Sequence, residues 1–297
     1  MTKEKPIFIL IAPTATGKSK TAIELAKKFD LEIINADAYQ FFKHMDIGTA
    51  KPSLKERETV PHHMFDICEP NEKYSAHQFA KQALNHVEEI FSRGKLPLLV
   101  GGAGFYIRAF TTPTSHLPSG TKEYEDLKSA FDWIISKDPG LKDQLHPHDH
   151  YRISRAGFLL EMGHVPSKVW QEERKTTLPY PIHYLTISGP RDLLYERMNQ
   201  RVLDMFEQGL VQETKNILQM FPDAKSRLAK TIGYQQVLQY LAGETTLDAC
   251  IALTQQKTRN YAKRQMTWIR NQLAPLTSHF EHAFEELSCY IQDLQNL

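Results

Sequence analysis

Residues 7–19 constrain this chain more tightly than any other segment. Ile7 to Ala12 is a short apolar run rich in β-branched residues, and it leads without a break into Pro13-Thr14-Ala15-Thr16-Gly17-Lys18-Ser19, after which a helical pattern begins near Ser19. Strand, loop and helix in that order form a phosphate-binding loop: backbone N–H groups and the helix N-terminus cradle an anion, Lys18 adds a point charge, and the Ser19 hydroxyl can hold Mg²⁺. The loop carries Ala12 where a glycine usually stands, which is expected to narrow the backbone freedom at its entry without removing a donor.

A parallel α/β sheet follows from the pattern beyond this loop. Residues 32–36, 96–100 and 182–188 are further short, buried-looking strands, with helical patterns between 7–12, 32–36 and 96–100. From about 120 to 180 the texture changes to charged amphipathic helices, with Trp133, Ile134, Leu141, Leu145, Leu159 and Leu160 offering an apolar face. After the fourth strand the pattern is helical almost to the end, through 192–210, 211–220, 233–241 and 246–270. The expected architecture is α/β: a P-loop NTPase-like parallel-sheet core built from residues 1–119 and 182–297, with an inserted all-helical domain at 120–181.

Composition excludes several classes. With 41% hydrophobic and 24% charged residues in 297, the chain is an ordinary globular one. Three dispersed cysteines argue for a reducing compartment, and the run at 7–12 is too short for a signal core, so a soluble cytoplasmic protein is expected. A formal charge of +1 means that a nucleic-acid partner needs a local basic patch. The clearest one is 257–270, with Lys257, Arg259, Lys263, Arg264 and Arg270 interleaved with Tyr261 and Trp268; a helix docking those two aromatics into a core reads equally well, and both can hold on opposite faces. His62, His63, His146, His148 and His150 lack a matching set for zinc.

The second strand ends in Asn35-Ala36-Asp37-Ala38-Tyr39-Gln40, which places Asp37 at the carboxyl edge of the sheet, where open parallel sheets bind ligands. A carboxylate there could bind Mg²⁺, as in a kinase, or take a proton from an attacking amine.

The phosphate loop, the segment 37–40 and Asp46-Ile47-Gly48-Thr49-Ala50-Lys51-Pro52 together resemble the tRNA dimethylallyltransferases, the IPP transferase family, in its compact bacterial form. Val60-Pro61-His62-His63, Tyr74-Ser75-Ala76, Val100-Gly101-Gly102, residues 194–197, 205–210, Ile232-Gly233-Tyr234 and Tyr261-Ala262-Lys263-Arg264-Gln265 are similar to that family's blocks, in order, as far as about Arg270. The resemblance implies transfer of a dimethylallyl group from dimethylallyl pyrophosphate to N6 of the adenosine 3′ of the anticodon, in tRNAs reading codons that begin with U. It implies pyrophosphate and Mg²⁺ in the loop Ala12, Pro13, Thr14, Ala15, Thr16, Gly17, Lys18 and Ser19, with Ser19 on the metal, Lys18 catalytic and Asp37 as base. The anticodon stem-loop is expected to meet Asp37, Ala38, Tyr39 and Gln40, then Tyr151, Arg152, Ile153, Ser154 and Arg155, and Lys230, Thr231, Ile232, Gly233, Tyr234 and Gln235. A monomer with no membrane partner is expected.

The chain departs from the family at two places. Gly101-Gly102-Ala103-Gly104 has alanine at the position of an active-site threonine, and Gly157-Phe158 follows Arg155-Ala156 where Leu-Glu is usual. Two rivals therefore stay open: a nucleotide or small-molecule kinase, which ATP should stabilise where a prenyltransferase answers to dimethylallyl pyrophosphate, and a degenerate tRNA-binding relative.

Overall fold

The computed structural model describes residues 5–112, 120–173 and 177–296. Among these, six strands form one sheet: β1 (Ile7–Ile11), β2 (Leu31–Asn35), β3 (His62–His63), β4 (Leu96–Gly101), β5 (Ile182–Ser188) and β6 (Leu276–His279). Their order is β3-β2-β4-β1-β5-β6, and every neighbouring pair is parallel. Every residue of β1 and β2 is buried, as expected of strands covered on both faces. Phe8, Leu10, Leu31, Leu98 and Leu185 join Ala22, Leu25, Leu287 and Ile291 in one cluster, so the helices Lys18–Phe29 and Ala283–Asn296 cover one face. The helix Ala76–Ser92 packs on β2 and β4, its N-terminus closed by a reciprocal Ser75–Gln78 capping box.

The chain divides into two compact units, 1–108 with 180–297, and 109–179. The first holds the sheet. In the second, Ala130, Ile134, Leu141, Leu145, Ile153 and Ala156 form a core of their own beneath the helices Leu127–Lys137 and His150–Glu161. Asp126 and Asp149 cap those helices by accepting N–H bonds from Lys128 and Arg152. Gly157 has a local cause: a Cβ there would lie 1.9 Å from the Tyr124 hydroxyl, so the usual larger residue is excluded by that ring.

Several expectations need correction. The sheet has two strands beyond the four read from the pattern, and both are edge strands: β3 is two residues long, and β6 is a polar Leu-Thr-Ser-His run with one buried position. The carboxyl-terminal stretch is accordingly not purely helical, because β6 separates the helices Leu247–Gln272 and Ala283–Asn296. Trp133 is exposed rather than part of the apolar face, and Lys122 lies over its ring. No helix of the described residues is long and apolar enough to cross a membrane.

Candidate active site

The carboxyl ends of β1, β2 and β4 meet at the crevice expected where connections leave a parallel sheet in opposite directions. Gly101 is required there, since a Cβ would come within 2.4 Å of the Ala36 carbonyl oxygen at the end of β2. Lys18, Ser19, Asn35, Asp37, Gln40 and Gly101 line the crevice on its polar side, and Ile33, Pro52, Phe65 and Val100 supply an apolar wall.

The phosphate loop differs from its sequence expectation in one respect. The left-handed positions are Gly17, at φ 86°, and Ala15, at φ 64°, so the backbone demand falls at the loop's centre and not at Ala12. Ala12 is fully buried, with its N–H bonded to the Gly101 carbonyl. An alanine held in the left-handed region costs roughly 1–2 kcal/mol. The buried Thr16 hydroxyl donates to the Pro13 carbonyl and braces the turn. Thr14 donates its N–H to the Gln265 side chain at 3.3 Å.

Asp37 is held by its neighbours. Its N–H donates to the Asn35 Oδ1 at 3.0 Å, and its own Oδ1 accepts the Tyr39 N–H at 3.1 Å. Asn35 in turn donates to the Met64 carbonyl. Gln40 donates to the Thr49 and Ala50 carbonyls, and the Tyr39 hydroxyl to the Lys230 carbonyl, so the 37–40 segment and Lys230 are brought together.

Two cations act on this carboxylate. Burial, then the neighbouring charge of Arg201, lowers the Lys18 ammonium to about 8 against the opposing pull of Asp37. Arg201, from the helix Arg191–Glu207, is itself lowered by burial and supported by Asp37. Sequence reading passed over Arg201, because one arginine in a charged amphipathic helix gives no local sign that its charge acts on Lys18 and Asp37. Tyr106 is pushed up to about 12, chiefly by burial, and Tyr261 is also raised by burial; both stay neutral donors beside the site.

The other expected contact residues are distributed unevenly. In 230–235, Lys230 and Gln235 are exposed, whereas Thr231 bonds to the Arg227 carbonyl and Tyr234 is fully buried. In the second unit Tyr151 is exposed and Ile153 is core. There Arg152 lies over the Trp170 ring, and Arg155 donates to the Gly120 carbonyl at 3.1 Å beside the Phe158 ring. Along the helix Leu247–Gln272, Lys257, Lys263, Arg264 and Arg270 face solvent, Ala262, Gln265 and Ile269 face inward, and Arg259 donates to the Asn199 side chain. Ala103 is nearly buried, at the start of the helix Gly104–Thr111, and its carbonyl accepts the N–H groups of Tyr106 and Ile107. His62 is engaged by the Val60 and Arg57 carbonyls and His63 by the buried Glu32, so the two histidines share no partner.

The 46–52 stretch owes its shape to Glu213. That carboxylate accepts the N–H groups of Asp46, Ile47 and Gly48 at 2.8–3.2 Å and the Tyr234 hydroxyl at 2.7 Å. Gly48 has no space for a side chain, as a Cβ would meet the Tyr234 ring at 2.4 Å. Glu213→Ala should therefore destabilise the protein by about 3 kcal/mol in urea unfolding, since several donors lose a charged acceptor together. An unchanged midpoint would show that the loop holds its shape without it.

Comparisons with known proteins agree with this geometry. The family model described as IPP transferase matches residues 40–272, and one described as isopentenyl transferase matches residues 5–66. The tRNA dimethylallyltransferase of Carboxydothermus hydrogenoformans is 39% identical over 295 residues, covering 95% of this chain and 93% of the relative. That of Geobacter metallireducens is 40% identical over 280 residues, covering 90% and 91%. The solved tRNA isopentenylpyrophosphate transferase of Bacillus halodurans superposes with a TM-score of 0.74 at 33% identity, covering 98% of this chain and 97% of that one. A eukaryotic dimethylallyltransferase acting on tRNA superposes at 0.86 with 28% identity, covering 97% and 79%.

Proposed function

Because this chain belongs to the IPP transferase family and is a tRNA prenyltransferase, we propose that it moves a dimethylallyl group from dimethylallyl pyrophosphate to N6 of the adenosine 3′ of the anticodon, in tRNAs reading codons that begin with U. One observation carries the chemistry: Lys18 and Ser19 of the phosphate loop, the Asp37 carboxylate and an apolar wall line a single crevice. The pyrophosphate end is taken by the N–H groups of residues 15–19, by Lys18 and by Arg201. The five-carbon chain lies against Ile33, Phe65 and Val100, away from water that would otherwise capture an allylic cation. As the bond from the allylic carbon to the pyrophosphate oxygen breaks, the bond from N6 to that carbon forms, the N6 proton passes to Asp37, and pyrophosphate leaves.

Mg²⁺ suits the Ser19 hydroxyl, a hard oxygen ligand in the same crevice as Lys18 and Asp37. When bound through Ser19 it supplies further neutralisation of the leaving group. The acceptor is an unstacked loop base, which reaches a recessed site more readily than one in a helix. We take the stem-loop to meet Tyr39, Gln40, Lys230 and Gln235 in the first unit and Tyr151 and Arg152 in the second, and the protein to act as a monomer. The kinase reading is not favoured, because the matching family and its relatives are prenyltransferases.

The direct test follows label from dimethylallyl pyrophosphate into an unmodified anticodon stem-loop with adenosine at that position, with and without Mg²⁺. Incorporation supports the reading; binding of the stem-loop without incorporation overturns it in favour of a degenerate binder. Under the same assay Ala103→Thr should raise kcat up to about tenfold, the value of one regained hydrogen bond of about 0.5–1.5 kcal/mol. No gain would mean that the position has lost its partner as well as its hydroxyl.

A further inference from the structure

Gln265 is a nearly buried polar residue on the inward face of the helix Leu247–Gln272, and its amide spans two loops of the active site. The Oε1 accepts the Thr14 N–H of the phosphate loop at 3.3 Å, and the Nε2 donates to the Gly102 carbonyl of the loop after β4 at 2.9 Å. Gly102 accommodates this arrangement, because a Cβ there would lie 2.3 Å from the Nε2. A primary amide suits such a bridge, because donor and acceptor sit on one rigid plane and satisfying both fixes the separation of the two backbones.

The two loops have different duties in the reaction proposed above, on which this inference rests. The first carries the leaving pyrophosphate. The second, Gly101 to Gly104, borders the crevice that receives the acceptor and begins the helix that carries Tyr106. Each has its own internal support, Thr16 to Pro13 in the first and Ala103 to Tyr106 in the second, so each can bind its ligand without the amide. We propose that Gln265 is a positioning residue that sets the distance between donor and acceptor, and so acts on the transfer step rather than on the binding of either substrate.

Gln265→Met, of similar length and with no hydrogen bonds, tests this in steady-state transfer. The expected result is a ten- to hundredfold fall in kcat, as a displacement of about 1 Å can produce, with KM for each substrate within threefold of wild type. The thermal shift induced by dimethylallyl pyrophosphate with Mg²⁺ should also persist. A kcat within twofold of wild type overturns the proposal, as does a loss shared equally by both KM values and the donor-induced shift, which marks a general structural role. Should the Met variant not fold, Gln265→Glu replaces it: it keeps the volume and an acceptor for Thr14 but, ionised, cannot donate to Gly102, and the same fall in kcat is expected. Wild-type protein that transfers nothing removes the activity and this inference together, whereas equal transfer by wild type and variant removes the inference alone.

Discussion

Asp37→Asn is expected to lower kcat for prenyl transfer by about 10²–10⁴, the range that a positioned general base supplies, while binding of the donor and the stem-loop, at a pH where Lys18 is protonated in both proteins, stays within about twofold. Asparagine is the informative replacement because its Oδ1 can still accept the Tyr39 N–H that now holds Asp37 in place. The turn is kept and the proton acceptor is removed. A second consequence accompanies the first. Asp37 is the neighbour that opposes the depression of Lys18, so losing its charge should move the Lys18 ionisation below its present value of about 8. The alkaline loss of donor binding should shift to lower pH in the variant. Full activity in Asp37→Asn would assign the proton to another group.

Lys18→Met should cost about 10²–10³ in kcat/KM for the donor, by comparison with the loss of a single electrostatic donor at a developing anion. Its pH dependence makes the prediction sharper. In the wild type, Lys18 is charged below about pH 8, the form proposed to take the pyrophosphate; above that value the free protein loses the proton, and donor affinity should fall as pH rises. The Met variant should lack that alkaline decline. Stability moves the other way. A lysine lowered on folding is protonated more in the unfolded chain between about pH 8 and its ordinary value near 10.5, so the unliganded protein is held back fully below pH 8 and gains stability as pH climbs through that window. The Met variant should melt higher than wild type at pH 7, and a lower melting temperature would contradict the burial argument. The charge that serves the ligand is thus one that the empty fold carries at a cost.

Much of this was legible in the chain because it was local. The strand at 7–11, the loop 12–19, Asp37 at the edge of β2 and the helical texture of the second unit are all written in contiguous residues. What was not legible depends on partners distant in sequence. β3 has two residues and therefore no period to detect, and β6 pairs through its backbone while showing polar side chains. The loop's strained position is Ala15, not the substituted Ala12, since the substitution marks a departure from a pattern and φ marks where the chain must turn. Arg201 and Gln265 each lie more than 160 residues along the chain from the groups they meet, and side-chain chemistry alone does not announce such meetings. Tyr234, read as a contact residue, is a buried anchor for Glu213, a distinction that burial alone makes.

The central place of β1 has a consequence for synthesis. Among the described strands it comes earliest in the chain, yet it is an interior strand of the sheet, flanked by β4 and β5, so it waits for residues 96–101 on one side and 182–188 on the other. Until then Ile-Phe-Ile-Leu-Ile is an uncharged, strongly β-forming sequence without its permanent neighbours. Parallel pairing across such separations is slow, which lengthens that interval. Chaperone supply during translation, more than the stability of the finished fold, should govern the yield of native protein from an overexpressing cell.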